Sequence, residues 1–135
     1  MFNYGLGIIN FQTLTYRIMN NHKELEIWKR SIKLAISVYK ATKLFPSEEK
    51  FGLTSQIRRC SVSVPSNIAE GAGRRGNKEF LQFLGIAYGS LCELETQLII
   101  SMELEFLSLS DFEKFNVEIN EIQKMTYSLI NKISN

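Results

Sequence analysis

The sequence predicts an all-α protein: an antiparallel up-down-up-down four-helix bundle with a proline-kinked second helix. Two observations carry this. Apolar residues recur at steps of three and four along four separate stretches, and connections of only a few residues join those stretches. At 1.5 Å rise per residue the stretches make rods roughly 30 to 40 Å long, and rods so briefly connected must fold back on their neighbours.

The first helix is read from Lys23 to Lys43, with Leu25, Trp28, Ile32, Ala35, Tyr39 and Thr42 as its apolar stripe. Phe45-Pro46 stops it, because the residue before a proline disfavours the helical region. Ser47, followed by Glu48 and Glu49, suits a new start with acids at the positive end of the helix dipole. The second helix carries Leu53, Ile57, Cys60, Val64 and Ile68; Pro65 inside that pattern predicts a kink near Ser61, and Gly71 and Gly73 end the helix. Asn77 is the expected cap of the third helix, whose stripe is Phe80, Leu84, Ala87, Leu91, Leu94 and Leu98. A second apolar set, Leu81, Phe83, Ile86, Tyr88, Cys92 and Ile99, is more than one bundle core uses. Gly89 and Ser90 are small enough to let the second helix come close. Ser110 to Glu113 reads as a capping box, and Phe112, Phe115, Ile119, Ile122, Thr126, Leu129 and Ile133 complete the fourth helix. Residues 1–21 show no such period and read as a loose N-terminal extension ahead of a bundle domain over residues 22–135, with Met19 a candidate start.

Composition fits this class. The chain has 135 residues, 44% hydrophobic and 22% charged, enough for one domain with one core. Cys60 and Cys92 lie far apart on apolar faces, without metal-type spacing, and read as reduced core thiols. No run resembles a membrane span or a signal peptide, so a cytoplasmic protein without a membrane partner is expected. The net charge of +2 conceals a division: residues 1–90 carry 13 Lys and Arg against 6 Asp and Glu, whereas residues 91–135 carry 3 against 8. Such polarity serves an anionic ligand or contacts between copies of the chain.

The chemistry-bearing residues do not compose a catalytic set. Gly71-Ala72-Gly73-Arg74-Arg75-Gly76 matches a dinucleotide fingerprint literally, but that motif needs a preceding strand, and here a helix precedes it. The glycines read as a helix end and tight reversal that use positive φ. Arg74, Arg75 and Lys78 lie beside the exposed amides of the third helix, where they form either a phosphate contact or a solvated turn. Lys29, Lys33, Lys40 and Lys43 fall within an arc of roughly 80° and make a stripe about 20 Å long, again either solvated or a nucleic-acid contact. Arg58, Arg59, Glu70, Glu93 and Glu95 are candidates for ion pairs within or between subunits. His22 has no ligand partners, so no metal is expected. Ser61, Ser63 and Ser66 lack a base, and with Asn67 they read as satisfiers of the backbone around Pro65. Neither a cofactor nor a catalytic residue is expected.

Several elements occur in one order: Glu26 and Trp28; Phe45, Pro46 and Glu49; Gln56 to Arg59; Ser63 to Gly71; and Gly89, Ser90 and Glu93 to Thr96. Together they resemble the four-helix-bundle proteins encoded in intervening sequences of bacterial 23S ribosomal RNA genes, over Lys23 to the C-terminus. The resemblance implies a bundle that assembles into a pentameric ring without known enzymatic activity. The wider group includes accessory proteins of diversity-generating retroelements, thought to bind nucleic acid and a reverse transcriptase through basic surfaces. The expected function is therefore a non-enzymatic homo-oligomer that binds RNA or DNA electrostatically, as companion to an RNA-processing or reverse-transcribing partner or to ribosomal RNA. The alternative is an assembly scaffold without nucleic-acid affinity.

Overall fold

The computed structural model describes residues 22–135. The expectations of a loose extension over residues 1–21 and of a start at Met19 lie outside the described residues. A short 3-10 turn, His22–Glu24, leads into α1 (Glu26–Thr42); a second, Ser47–Glu49, precedes α2 (Leu53–Ala72), followed by α3 (Asn77–Glu103) and α4 (Leu109–Ser134). The described residues contain no strand. Helix α1 packs on α2 and α4, and α3 packs on the same two, while the diagonal pairs barely touch. This is the expected antiparallel four-helix bundle.

The stripes of α2, α3 and α4 meet in one core. Ile57, Val64, Ile68, Phe80, Leu84, Leu91, Leu94, Ile119 and Ile122 are fully buried. In α1 the stripe is rotated from the expected one. Ile27, Ser31, Leu34, Ala35, Val38 and Thr42 are buried, whereas Trp28 and Ile32 are half-buried and Tyr39 is exposed. The reason is that two polar residues occupy core positions. The Ser31 hydroxyl donates to the Ile27 carbonyl, and the Thr42 hydroxyl donates to the Val38 carbonyl at 2.8 Å. Both hydroxyls are satisfied inside their own helix and can therefore be buried. Trp28 instead sets its ring edge-on against His22, 5.2 Å between centroids.

Helix ends differ from the sequence reading by one to six residues. Ser47 opens a single 3-10 turn, and α2 starts only at Leu53, whose amide donates to the Glu49 carboxylate at 3.4 Å. Gly76, not Asn77, is the cap residue of α3, and no side chain caps it. At α4 the cap is Ser108, whose hydroxyl accepts from the Asp111 amide at 3.1 Å, two residues before the expected box. Helix α2 continues through the buried Pro65 without a break. The ring gives no N–H to the Ser61 carbonyl, and hydrogen bonds from Ser61 Oγ to the Arg58 carbonyl and from Asn67 Nδ2 to the Ser63 carbonyl surround it. Helix α3 ends in a Schellman turn. The Phe106 amide reaches the Ser101 carbonyl and the Glu105 amide reaches that of Met102, with Glu105 left-handed at φ 64°. That turn delivers Phe106 to within 5.8 Å of the Phe45 ring.

Helix α3 also revises the membrane reading. By length and mean hydropathy, 1.2 over an 18-residue window, it could cross a membrane; in the bundle 39% of that window is buried.

Two contacts clasp the bundle. Along α2–α3 the close approach is made by Gly71, where a Cβ would lie 2.6 Å from Phe83 Cβ and 3.1 Å from Phe80 Cδ1. Gly89 faces open space, so the expected pair is half corrected: Ser90 lies at the seam, bonded to Ser63 Oγ at 2.9 Å, and Gly89 does not. Across α1–α4, Arg30 Nε and Nη2 each donate to one Glu118 oxygen at 2.8 Å, a fork-on-carboxylate geometry. The hydrogen bond from Arg30, with Coulomb attraction, holds the Glu118 carboxyl below its ordinary range, against the opposing effect of burial.

Two expectations follow. Gly71→Ala should lower the thermal midpoint, by about 1 to 3 kcal/mol of overpacking. Gly89→Ala, with room for its methyl, should raise stability by about 0.5 to 1 kcal/mol through helix propensity. Equal effects at the two sites would contradict the close approach. Glu118→Gln should cost a few tenths to about 1 kcal/mol at pH 7, since the pair is partly exposed. A depressed carboxyl stabilises above its unfolded pKa of about 4.3, and that contribution is lost as pH falls through the lower folded value. The difference between wild type and variant, followed by thermal melts, should therefore shrink as pH falls below the unfolded value and vanish once pH is below the depressed folded one.

Candidate nucleic-acid interface

The reversal between α2 and α3 is built by backbone hydrogen bonds. The Gly73 amide donates to the carbonyls of Ala69 and Glu70, and the Arg74 amide donates to that of Gly71. Gly73 has φ −81° and Gly76 φ −137°, so neither uses the left-handed region expected of them. Room is required at Gly71 alone, since a Cβ at Gly73 would make only ordinary contacts at 3.5 Å and one at Gly76 would meet open space. Because no side chain caps α3, the amides of its first turn remain available where the helix dipole is positive.

The three cations of this turn are not equivalent. Arg74 is engaged: Nη2 lies 3.3 Å from Glu70, Nε lies 3.9 Å from Glu79, and its guanidinium sits 5.1 Å from the Phe83 ring centroid. Arg75 and Lys78 are exposed at the mouth of α3. The lysine stripe of α1 is likewise mixed. Lys29 lies 3.5 Å from Glu26, and Lys33 lines a groove between α1 and α4 with Asp111, Lys114 and Glu118, whereas Lys40 and Lys43 are exposed near the end of α1. That end is opposite the α2–α3 turn, because α2 runs roughly 30 Å between them. One chain thus carries its two candidate basic surfaces at opposite ends.

The candidate ion pairs divide too. Arg58 forms no ion pair among the described residues. It donates to Thr42 Oγ1 at 2.8 Å and the Tyr39 carbonyl at 3.3 Å, and stacks 4.8 Å from the Tyr39 ring, bracing the end of α1. A cation on late carbonyls suits the negative end of that helix. Glu70 pairs with Arg74. Arg59 and Glu93 line a shallow groove between α2 and α3 with Phe51, Gln56, Ser63 and Ser90, and Glu93 also accepts from Gln97 at 3.3 Å. Glu95 is half-buried on α3. The sequence reading missed Arg30–Glu118 altogether, as partners 88 positions apart leave no local signal.

The candidate serines and cysteines have the following surroundings among the described residues. Ser63 Oγ is held by Ser90 Oγ and Asn67 Nδ2, and no group of three metal-ligating side chains occurs among the described residues. Cys60 donates its thiol to the Ser90 carbonyl at 3.0 Å, and burial with the nearby Glu93 pushes that thiol up to about 12. Cys92, expected in the core, is exposed, with Gln123 Nε2 donating to its sulfur at 3.6 Å. It lies at the edge of α3 that borders α4, outside the buried stripe.

Comparison with known proteins bears on the whole fold. The sequence profile described as "23S rRNA-intervening sequence protein" matches residues 23–128. A crystal structure of a protein of unknown function from the S23 ribosomal protein family of Bacteroides thetaiotaomicron superposes with a TM-score of 0.72 at 24% identity, covering 78% of this chain and 95% of that one. At that identity the likeness is one of fold. No functionally curated protein matches.

The thiol environments give a direct check. A neutral-pH thiol reagent should modify one cysteine per folded chain, Cys92, and reach Cys60 only on unfolding, since the reactive species is the thiolate. Rapid labelling of Cys60 in the folded protein would contradict the burial described.

Proposed function

The chain belongs to the 23S rRNA-intervening sequence protein family, and on that premise we propose that it is a non-catalytic, self-associating bundle that binds RNA or DNA through phosphate contacts. The observation that carries this reading is the pair of exposed cations, Arg75 and Lys78, beside the uncapped amides of α3. Phosphate needs only positive charge and donors, and this turn presents both. Arg74, held by two carboxylates, orients the turn instead of contacting the ligand. Lys40 and Lys43 offer a second, weaker surface at the far end.

Self-association rests on apolar side chains the bundle leaves uncovered. Ile86, Ile99 and Ile100 of α3 and Val62 of α2 are each more than 40% exposed. A ring of copies would repeat the basic turn, and repeated weak contacts gain avidity. The resemblance that implies a pentamer also suggests a reverse transcriptase or ribosomal RNA as the wider setting. The scaffold reading keeps one observation in its favour: the carboxylates of Glu70 and Glu79 beside Arg74 reduce the net positive charge of the turn.

Fluorescence anisotropy with a short labelled DNA duplex, titrated with salt, tests the reading. The logarithm of the binding constant should fall with log salt at about 0.9 per phosphate neutralised, and replacing Arg75 and Lys78 with Ala should flatten that slope while leaving helicity unchanged. Absence of binding at low salt, or an unaltered slope in the double variant, would leave the scaffold reading standing. Native mass spectrometry should show a minor monomer.

A further inference from the structure

The face between α3 and α4 carries a cluster with different chemistry from the basic turn. Tyr88 of α3 and Tyr127 of α4 hold their rings 6.4 Å apart at an interplanar angle of 51°, and with Asn120, Gln123 and Lys124 they line an open depression of about 320 Å³. Asn120, Gln123 and Tyr127 are spaced by three and four, so one face of α4 presents two amides and an aromatic ring. Tyr127 is 58% exposed. A large, stiff aromatic ring left this open is not explained by core packing. Gln123 spends one N–H on the Cys92 sulfur at 3.6 Å, and its amide carbonyl remains for another partner.

We propose that this cluster is a base-stacking site for single-stranded nucleic acid. The inference rests on the nucleic-acid reading above and adds which form of nucleic acid the protein prefers. Each group has a part. The Tyr127 face accepts a base by stacking, since its ring is too tilted against Tyr88 for the two to sandwich one. The Asn120 and Gln123 amides combine donors and acceptor, as the edge of an unpaired base requires. Lys124 supplies one phosphate contact. The local charge argues for a base over a backbone run, because Glu121 stands on α4 three residues before Lys124 and Glu95 lies half-buried on α3. One cation among these carboxylates cannot hold a duplex by its phosphates, and duplex bases are already stacked and paired. Tyr88 lies about 15 Å along α3 from Lys78, so a single strand seated on the basic turn can extend to the tyrosines.

The test compares three fluorescently labelled probes by anisotropy: a twelve-nucleotide oligoadenylate, an abasic strand of equal length and a duplex. Oligoadenylate should bind about tenfold or more tightly than the abasic strand. Tyr127→Ala should abolish that advantage without changing the salt slope, and Tyr127→Phe, which keeps the ring face, should retain it. The exposed position makes a folded Ala variant expected, and circular dichroism checks it. If oligoadenylate and abasic strand bind alike in the wild type, the stacking site is overturned while the phosphate reading stands. A base preference with no salt dependence would support the stacking site and sink the phosphate reading. Failure of all probes to bind overturns both. Displacement by AMP at the affinity of the oligomer would overturn a strand site in favour of a free-nucleotide site. A change in oligomeric state on Tyr127→Ala, seen by native mass spectrometry, would overturn it in favour of a subunit contact.

Discussion

The close contact between α2 and α3 is the constraint on which the rest of the molecule depends. Gly71 meets Phe83 and Phe80 with no space for a side chain, Ser63 and Ser90 share a hydrogen bond, and Cys60 reaches the Ser90 carbonyl. Small residues at these positions bring the two backbones together, and the short turn through Gly73 and Gly76 can then connect them. With α2 and α3 so fixed, α1 and α4 each have an apolar groove to fill, and they meet on the far side through Arg30 and Glu118. The position of Arg75 and Lys78 follows from the same seam, since they crown the turn that it tightens.

The fold was legible because three helices put apolar residues at nearly every core position. The α3 stripe from Phe80 to Leu98 needed no correction. Helix α1 was less legible because a count of apolar residues cannot see that Ser31 and Thr42 are buried, their hydroxyls answered four residues back. The caps failed for a related reason. Asn77 and Ser110 are good capping residues, yet Gly76 and Ser108 hold the required extended backbone, and the helix ends are set by packing of the turns more than by cap propensity. The candidate site was legible in its charges and not in their engagement. No spacing in the sequence says that Arg74 is held by Glu79 from the next helix, that Arg58 braces carbonyls of α1, or that Tyr88 meets Tyr127.

The division of charge acquires a spatial meaning in the bundle. The excess of Lys and Arg belongs mainly to α1, α2 and the turn that follows, whereas the excess of carboxylates belongs to the second half of α3 and the turn after it, at Glu93, Glu95, Glu103 and Glu105, with α4 nearly balanced. The two halves of the chain are adjacent around the bundle, and Arg30–Glu118 is where they touch through a well-formed pair. Most of the remaining cations among the described residues stay near the ends, roughly 30 Å apart, so these residues offer anions small contacts that are far from one another. Repetition by assembly is the means by which contacts so small and so separated could add up to useful affinity.

Helix α3 shows how one rod can serve several purposes at once. Its stripe from Phe80 to Leu98 fills the core, Ser90 completes the seam with α2, and Tyr88 faces Tyr127 of α4. Its first turn points uncapped amides at solvent between Arg75 and Lys78. Positive charge at a helix mouth attracts any phosphate, whatever the base attached to it. An exposed ring flanked by amides discriminates differently, because it requires a base that has left its own stack. On this rigid scaffold the mouth of α3 would set the strength of binding and the tyrosine face its preference for strands that are not already paired.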